Sequence, residues 1–269
     1  MELAGAGVVV TGSAGGIGAS LARRFHALGA RVVVVDVQET PTHAVAGELE
    51  SRRPGSALAD VGDVGSESGN RELIGRAKDF LGSIDLFFAN AGVGLGTTIE
   101  ATNESDWDTS FAVNVHAHRW AAKYLLPDWL ARGRGYFCST ASAAGLLSQI
   151  GSAPYSLSKH AAVAFAEWMS ITYGDRGIRV SCLCPQGVNT RMLDGGDIGG
   201  ASGGDVVRAA GVVLEPDDVA VVVSDAIADE RFLILPHPEV AKYEANRAAD
   251  RDKWLAGMRK LQRRVLGDL

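Results

Sequence analysis

The sequence predicts an α/β protein: a Rossmann-type doubly wound parallel sheet of about seven strands, with helices on both faces and a C-terminal helical tail. Three observations predict it. Apolar β-branched runs alternate with longer helical patterns from the first residues onward. Those runs are continuously apolar rather than alternating, which implies burial on both faces. A glycine cluster, Thr11-Gly12-Ser13-Ala14-Gly15-Gly16-Ile17-Gly18, follows the first run directly. In such a sheet ligands sit at the carboxyl ends of the strands.

Taken in order, Ala6–Val10 and Val32–Val35 read as buried strands, joined by a helix from Ile17 to Leu28 that Gly29 ends. Further strands are expected at Ser56–Ala59, Ile84–Ala89, Gly135–Ser139, Arg179–Leu183 and Phe232–Leu235. Glu104–Ala131 and Ala153–Tyr173 have the length and period of long helices. After Phe232–Leu235 the chain runs through Pro236-His237-Pro238 into a helical tail, where Trp254, Met258, Leu261 and Val265 fall on one face. The expected division is a single dinucleotide-binding domain over 1–238, with a substrate lid over 191–213, and a C-terminal extension over 239–269. There is no internal repeat, and the glycine-rich Asp194–Asp205 is expected to be mobile.

The 269 residues suit one large domain, and 46% hydrophobic with 22% charged residues suits a globular protein with a sizeable core. A formal charge of −6 gives no reason to expect nucleic acid, whose phosphates favour a basic face. The tail, with eight Lys/Arg against five Asp/Glu, is locally basic. It is expected to dock on the enzyme or on a partner subunit rather than on a membrane surface, and to cap the substrate pocket. Cys138, Cys182 and Cys184 lack the spacing of a metal knuckle or redox dithiol and read as buried thiols in a reducing compartment. No apolar run reaches the roughly 20 residues of a membrane helix. With the glycine cluster beginning at Thr11, no room is expected for a leader, and the expected location is cytoplasmic. No metal is expected: His116 and His118 lack a nearby third ligand and read as helix-surface histidines. His160 receives no catalytic role, and Trp107, Trp120, Trp129 and Trp168 read as core or subunit-interface residues.

Glycine permits close backbone approach and leaves the amides of a following helix open, which is what a pyrophosphate needs. Gly12, Gly16 and Gly18 are placed to supply the turn, the approach and the helix–strand packing. The second strand ends in Asp36, whose carboxylate can accept from ribose hydroxyls and repels a 2′-phosphate. Neither Val37 nor Ser13, Ala14 and Gly15 offers a cation for such a phosphate, so NAD is favoured over NADP. Tyr155 and Lys159 stand four positions apart, hence one turn apart on one helix face. A phenol of pKa about 10 is a poor base, and a neighbouring cation favours the phenolate. Ser142 is placed to hydrogen-bond a substrate oxygen.

The spacing Thr-Gly-x-x-x-Gly-x-Gly resembles the glycine motif of the short-chain dehydrogenase/reductase family, and matching motifs extend from Val8 to Thr190. Gly12, Gly15, Gly16, Ile17 and Gly18 form the resembling loop. Asp60-Val61 looks like the family's adenine-contacting pair, and Asn90-Ala91-Gly92 like its sheet-supporting, cleft-lining motif. Asn114 stands where the family keeps a helix-kinking, water-holding asparagine. Ser142, Tyr155 and Lys159 match its catalytic serine, tyrosine and lysine. The resemblance implies a proton relay through the lysine, the ribose 2′-hydroxyl and a water near Asn114. Pro185, Gly187, Val188 and Thr190 match the loop that holds the nicotinamide, but Gln186 stands where the family has glycine. Gln186 either reaches toward the substrate or stiffens the turn. The C-terminus also departs from the family's Val-Asp-Gly-Gly-like turn.

What this implies is reversible oxidation of a secondary alcohol to a ketone, the substrate hydrophobic and NAD taking the hydride. The implied assembly is a homotetramer or homodimer through the two long helices. The alternatives are an imine or enoyl reductase on the same scaffold, or a non-enzymatic dinucleotide-binding regulator. The complete Ser142, Tyr155 and Lys159 set speaks for carbonyl chemistry.

Overall fold

The computed structural model describes residues 1–193, 204, 206–208 and 211–267. Of the segment Asp194–Asp205, only Gly204 lies within the described residues, so its expected mobility falls outside them. Seven parallel strands form one sheet in the order β3-β2-β1-β4-β5-β6-β7. They are β1 (Gly7–Thr11), β2 (Arg31–Asp36), β3 (Ala57–Val61), β4 (Leu86–Ala89), β5 (Gly135–Thr140), β6 (Ile178–Leu183) and β7 (Leu233–Ile234). The order reverses between β1 and β4, and the ligand crevice of a doubly wound sheet lies at that reversal.

Continuous apolarity in the strands has the cause expected of it. Val9 and Val33 enter the core on one face, while Val8, Val10, Val32 and Val34 enter the core on the other. The first face is covered by α3 (Glu67–Leu81), α5 (Ala117–Arg132) and α7 (Ala153–Tyr173), the second by α1 (Gly16–Ala27), α2 (Glu39–Arg52) and α8 (Pro216–Ala228). Each fully buried Val, Leu or Phe contributes about 1.5–3 kcal/mol. Phe25 from α1 and Phe88 from β4 meet in one core, Phe87 and Phe137 stack in the other.

The pattern over Glu104–Ala131 is not one helix. It divides into α4 (Glu104–Phe111), a π-helical turn (Ala112–His116) and α5, which continues to Arg132. Asn103 caps α4 by accepting from the Asp106 amide at 2.8 Å. In the π turn the Asn114 side chain leaves the helix to bond the Val93 backbone, a local cause for the widened turn. Helices α2, α3 and α8 escaped the sequence pattern because proline and glycine (Pro41 and Gly47 in α2, Gly69 and Gly75 in α3) or a β-branched run (Val221–Val223 in α8) lower helix propensity. Packing overrides it. The last strand is shorter than Phe232–Leu235, since Pro236-His237-Pro238 turns the chain away.

The tail folds as two helices, α9 (Glu239–Ala249) and α10 (Arg251–Leu266), of which α9 packs on the short α6 (Ala143–Leu147). Asp250 breaks the tail by capping α10, accepting from the Lys253 amide at 2.9 Å.

Candidate active site

The glycine cluster turns the end of β1 into the start of α1. Gly12 has φ +64, and a Cβ there would stand 2.7 Å from the Ala91 Cα. At Gly18 a Cβ would collide with the Gly12 carbonyl, so the helix packs on the turn only without a side chain. Gly15 caps α1 with no side-chain hydrogen bond, and the first turn carries no acid. The open amides of that turn face the cleft, an arrangement suited to a phosphate. Asp36 closes the β2 end, its carboxylate accepting from the Ala14 amide and the Gln38 amide, both at 3.1 Å. Asn90 ties the floor together: it donates to the Thr11 and Gly12 carbonyls at 3.0 and 3.2 Å and accepts from the Thr140 hydroxyl at 3.0 Å.

The cleft, about 740 Å³, is lined by Gly12, Gly15, Gly16, Ile17, Gly18, Asp36, Val37, Asn90, Ala91 and Gly92, and by Ser142, Tyr155, Lys159, Pro185, Val188 and Thr190. A nicotinamide dinucleotide fits this donor set: amides for the pyrophosphate, a carboxylate for the ribose, and a glycine cradle that any side chain would fill. Asp60 and Val61 are not among the lining residues. The Asp60 carboxylate is buried and held by Arg76 through two bonds of 2.7 and 2.8 Å, so it faces α3. Gly62, Asp63 and Val64 line the cleft in their place. The signal was present, since Asp-Val-Gly occurs twice, at 60–62 and 63–65, and the second copy runs directly into Ser66, the cap of α3. Gly187 also stays behind the wall.

Ser142 caps α6, accepting from the Ala144 amide at 3.1 Å, and its hydroxyl also contacts the Tyr155 phenol. Tyr155 and Lys159 come from successive turns of α7, where Ser152 accepts from the Tyr155 amide. Lys159 is buried, and its Nζ donates to the Thr140 carbonyl at 3.0 Å and lies 5.6 Å from the Tyr155 ring centroid. Burial holds its pKa down to about 8. Burial also raises the Tyr155 pKa, against a lowering by the Ser142 hydrogen bond. The expectation that the lysine brings the phenol down is therefore not met by the chain's own groups: desolvation of the phenolate dominates. Asn114 lies behind the wall, fully buried, with its carboxamide bonded to the Val93 amide and carbonyl (2.9 Å each) and to Ser158 (3.0 Å). Gly92 leaves room for both groups: a Cβ there would stand 3.2 Å from Lys159 Nζ and 3.3 Å from Asn114 Oδ1.

His118 is not a helix-surface residue. It is buried against the edge of Phe137, neither ring nitrogen has a partner among the described residues, and burial pushes its pKa down to about 3. The cause is its place on α5, one turn beyond Asn114, where the helix faces β5. His116 is only partly buried and meets Trp120 at a tilt, ring centroids 5.5 Å apart. Trp129 is core, its indole donating to the Ile84 carbonyl at 2.7 Å, whereas Trp168 is exposed. The three cysteines are buried free thiols.

The loop after β6 is held by a residue that sequence reading passed over. His237, buried, accepts from the Gln186 amide at Nδ1 (3.1 Å) and donates from Nε2 to the Gly187 carbonyl (3.1 Å), which fixes its tautomer. The unusual Gln186 is thus accommodated by a histidine from the equally unusual C-terminal turn. Val188 and Asn189 are braced by Leu214, and the Thr190 methyl abuts Gly16 across the cleft. Beyond Ser142 the cleft shares Ala143, Ala144, Gln149, Gln186 and Val207 with a second cavity of about 630 Å³. Leu147, Ile150, Trp254, Met258 and Leu261 make that cavity mainly apolar, so the tail of the same chain roofs it.

The chain matches the family model described as short chain dehydrogenase over residues 6–196. It is 35% identical to 1-deoxy-11-beta-hydroxypentalenate dehydrogenase of Streptomyces exfoliatus, over 89% of this chain and 86% of that one. It is 31% identical to meso-2,3-butanediol dehydrogenase of Serratia marcescens, over 84% and 89%. Among solved structures, a short-chain dehydrogenase/reductase from Burkholderia phymatum in complex with NAD superposes with a TM-score of 0.85, at 28% identity, covering 94% of this chain and 96% of that one.

Proposed function

Because the chain belongs to the short-chain dehydrogenase/reductase family of oxidoreductases, we propose that it oxidises a bulky, apolar secondary alcohol reversibly to a ketone with NAD. The observation that carries this reading is a pair of adjoining cavities that share five lining residues. Asp36 stands at one end, Ser142, Tyr155 and Lys159 in the middle, and the apolar cavity under the tail beyond them.

The cofactor, when bound, supplies the hydride chemistry and a positive ring near Tyr155. Tyr155 takes the alcohol proton at its phenol oxygen, or returns it to the carbonyl oxygen in reduction. Ser142 donates to that same oxygen and stabilises its developing charge. Lys159, anchored on Thr140, presents its ammonium to the ribose and adds to the charge that favours phenolate. Asn114, pinned by Val93 and Ser158, holds the relay water. Asp36 accepts from the ribose hydroxyls and disfavours a 2′-phosphate, hence NAD. The alcohols in the names of two relatives, a hydroxypentalenate and a butanediol, support the reaction class. Two copies pair through α5 and α7, the latter exposing Leu157, Trp168 and Ile171.

The test is a panel of bulky secondary alcohols with NAD, read as reduced-nicotinamide absorbance. Wild-type protein is expected to turn over at least one of them. Tyr155→Phe is expected to lose about 100- to 10,000-fold in rate, with NADH affinity within about twofold of wild type. A mutant that works at the wild-type rate would overturn the mechanism.

A further inference from the structure

The glycine loop supplies amides but no positive side chain, and among the described residues the cations lining the cleft are Lys159 and Arg191. Lys159 serves the phenol end. Arg191 follows Thr190 on the opposite wall, yet its guanidinium crosses the cleft: Nη2 donates to Gln38 Oε1 at 3.1 Å. The same nitrogen stands 3.9 Å from where a Cβ of Gly15 would be, directly over the start of α1. Among the described residues Arg191 forms no ion pair; a neutral amide is its partner.

We propose that Arg191 is the cofactor's pyrophosphate cation, a positioning residue that closes over the glycine loop from the far wall. The reasoning is electrostatic. The amides at the start of α1 and a planar guanidinium above them converge from two sides on one point, and a phosphate oxygen is the group that satisfies both. The 2′-side of the ribose is a poorer place for the same charge, because the Asp36 carboxylate stands there. Gln38 parks the guanidinium across the cleft, so a dinucleotide enters by displacing that one contact. This inference rests on the nicotinamide-dinucleotide reading given above.

The test is isothermal titration of the whole protein, wild type against Arg191→Gln and Arg191→Lys, with NADH, ADP-ribose, 2′-AMP and adenosine. Arg191→Gln is expected to weaken NADH and ADP-ribose roughly 10- to 100-fold. Adenosine and 2′-AMP are expected to stay within about twofold, Arg191→Lys to recover part of the loss, and the salt dependence of ADP-ribose binding to flatten in Arg191→Gln. Unchanged NADH affinity in Arg191→Gln overturns the proposal. So does an equal loss for adenosine, which marks a structural role, or a loss confined to 2′-AMP, which marks a 2′-phosphate site. A wild-type protein that binds none of the four overturns the dinucleotide reading itself, a result distinct from the other three.

Discussion

Lys159 Nζ is anchored on the carbonyl of Thr140, 3.0 Å away at the end of β5, and not on the hydroxyl of Tyr155. The buried ammonium thus bridges α7 to the sheet and stands beside the phenol as a charge. Its burial has a thermodynamic signature.

Lys159 has a folded pKa of about 8, below the usual lysine value of 10.5. Between those limits the unfolded chain binds more protons than the folded one, so stability rises with pH across that window. Below it the cost of the buried charge is fully present. Comparing wild type with Lys159→Met in urea unfolding, the difference is expected to move in favour of wild type by about 3 kcal/mol from pH 7 to pH 10. A difference independent of pH would mean the lysine is charged throughout.

His118 has the same sign at lower pH. Its folded pKa of about 3 lies below 6.5, so the unfolded state gains protons first as pH falls below 6.5, and stability is lost there. His118→Phe keeps an aromatic ring against Phe137, a slightly larger one, while removing the two buried nitrogens. It is expected to gain about 2 kcal/mol relative to wild type at pH 5 compared with pH 7.5. Thermal melts at the two pH values decide it, and parallel acid sensitivity in both proteins would sink the idea.

Asp36 carries the cofactor preference in the proposed reading. Asp36→Asn keeps an oxygen to accept from the Ala14 or Gln38 amide but removes the charge that repels a 2′-phosphate. The ratio of kcat/KM for NAD over NADP is expected to fall by roughly tenfold or more, the scale of one charge contact. A ratio unchanged in steady-state kinetics would assign the preference elsewhere.

The tail prediction separates roofing from folding. Helix α10 has no fully buried residue, whereas Val240 in α9 belongs to the main core. Truncation after Asp250 is therefore expected to leave the melting temperature within a few degrees, since exposed-side changes cost little. It should raise KM for bulky apolar alcohols about tenfold or more while sparing small ones, because the cavity wall of Trp254, Met258 and Leu261 is removed. Equal effects on small and bulky substrates would deny the tail its place in the pocket.

The glycine loop, Asp36, Asn90 and the Tyr155–Lys159 pair were legible in the chain because each depends on local spacing: a turn, a strand end, one helical repeat. Asp60-Val61 stays off the cleft lining because Arg76 takes the Asp60 carboxylate, a contact across sixteen positions that the two successive Asp-Val-Gly triplets do not encode. His118 was misread because its burial is set by what α5 packs against, which its neighbours in sequence do not encode. His237 and Arg191 left no local trace, being joined to Gln186 and Gln38 across 51 and 153 positions.

Sequence by itself determined the doubly wound sheet, the place of the crevice and the residue types at its centre, since backbone periodicity and glycine stereochemistry act over a few residues. Tertiary structure alone decided the protonation of buried groups, the roof over the second cavity and the contacts that cross the cleft. Those depend on which surfaces lose water together, and desolvation is a property of the packed whole.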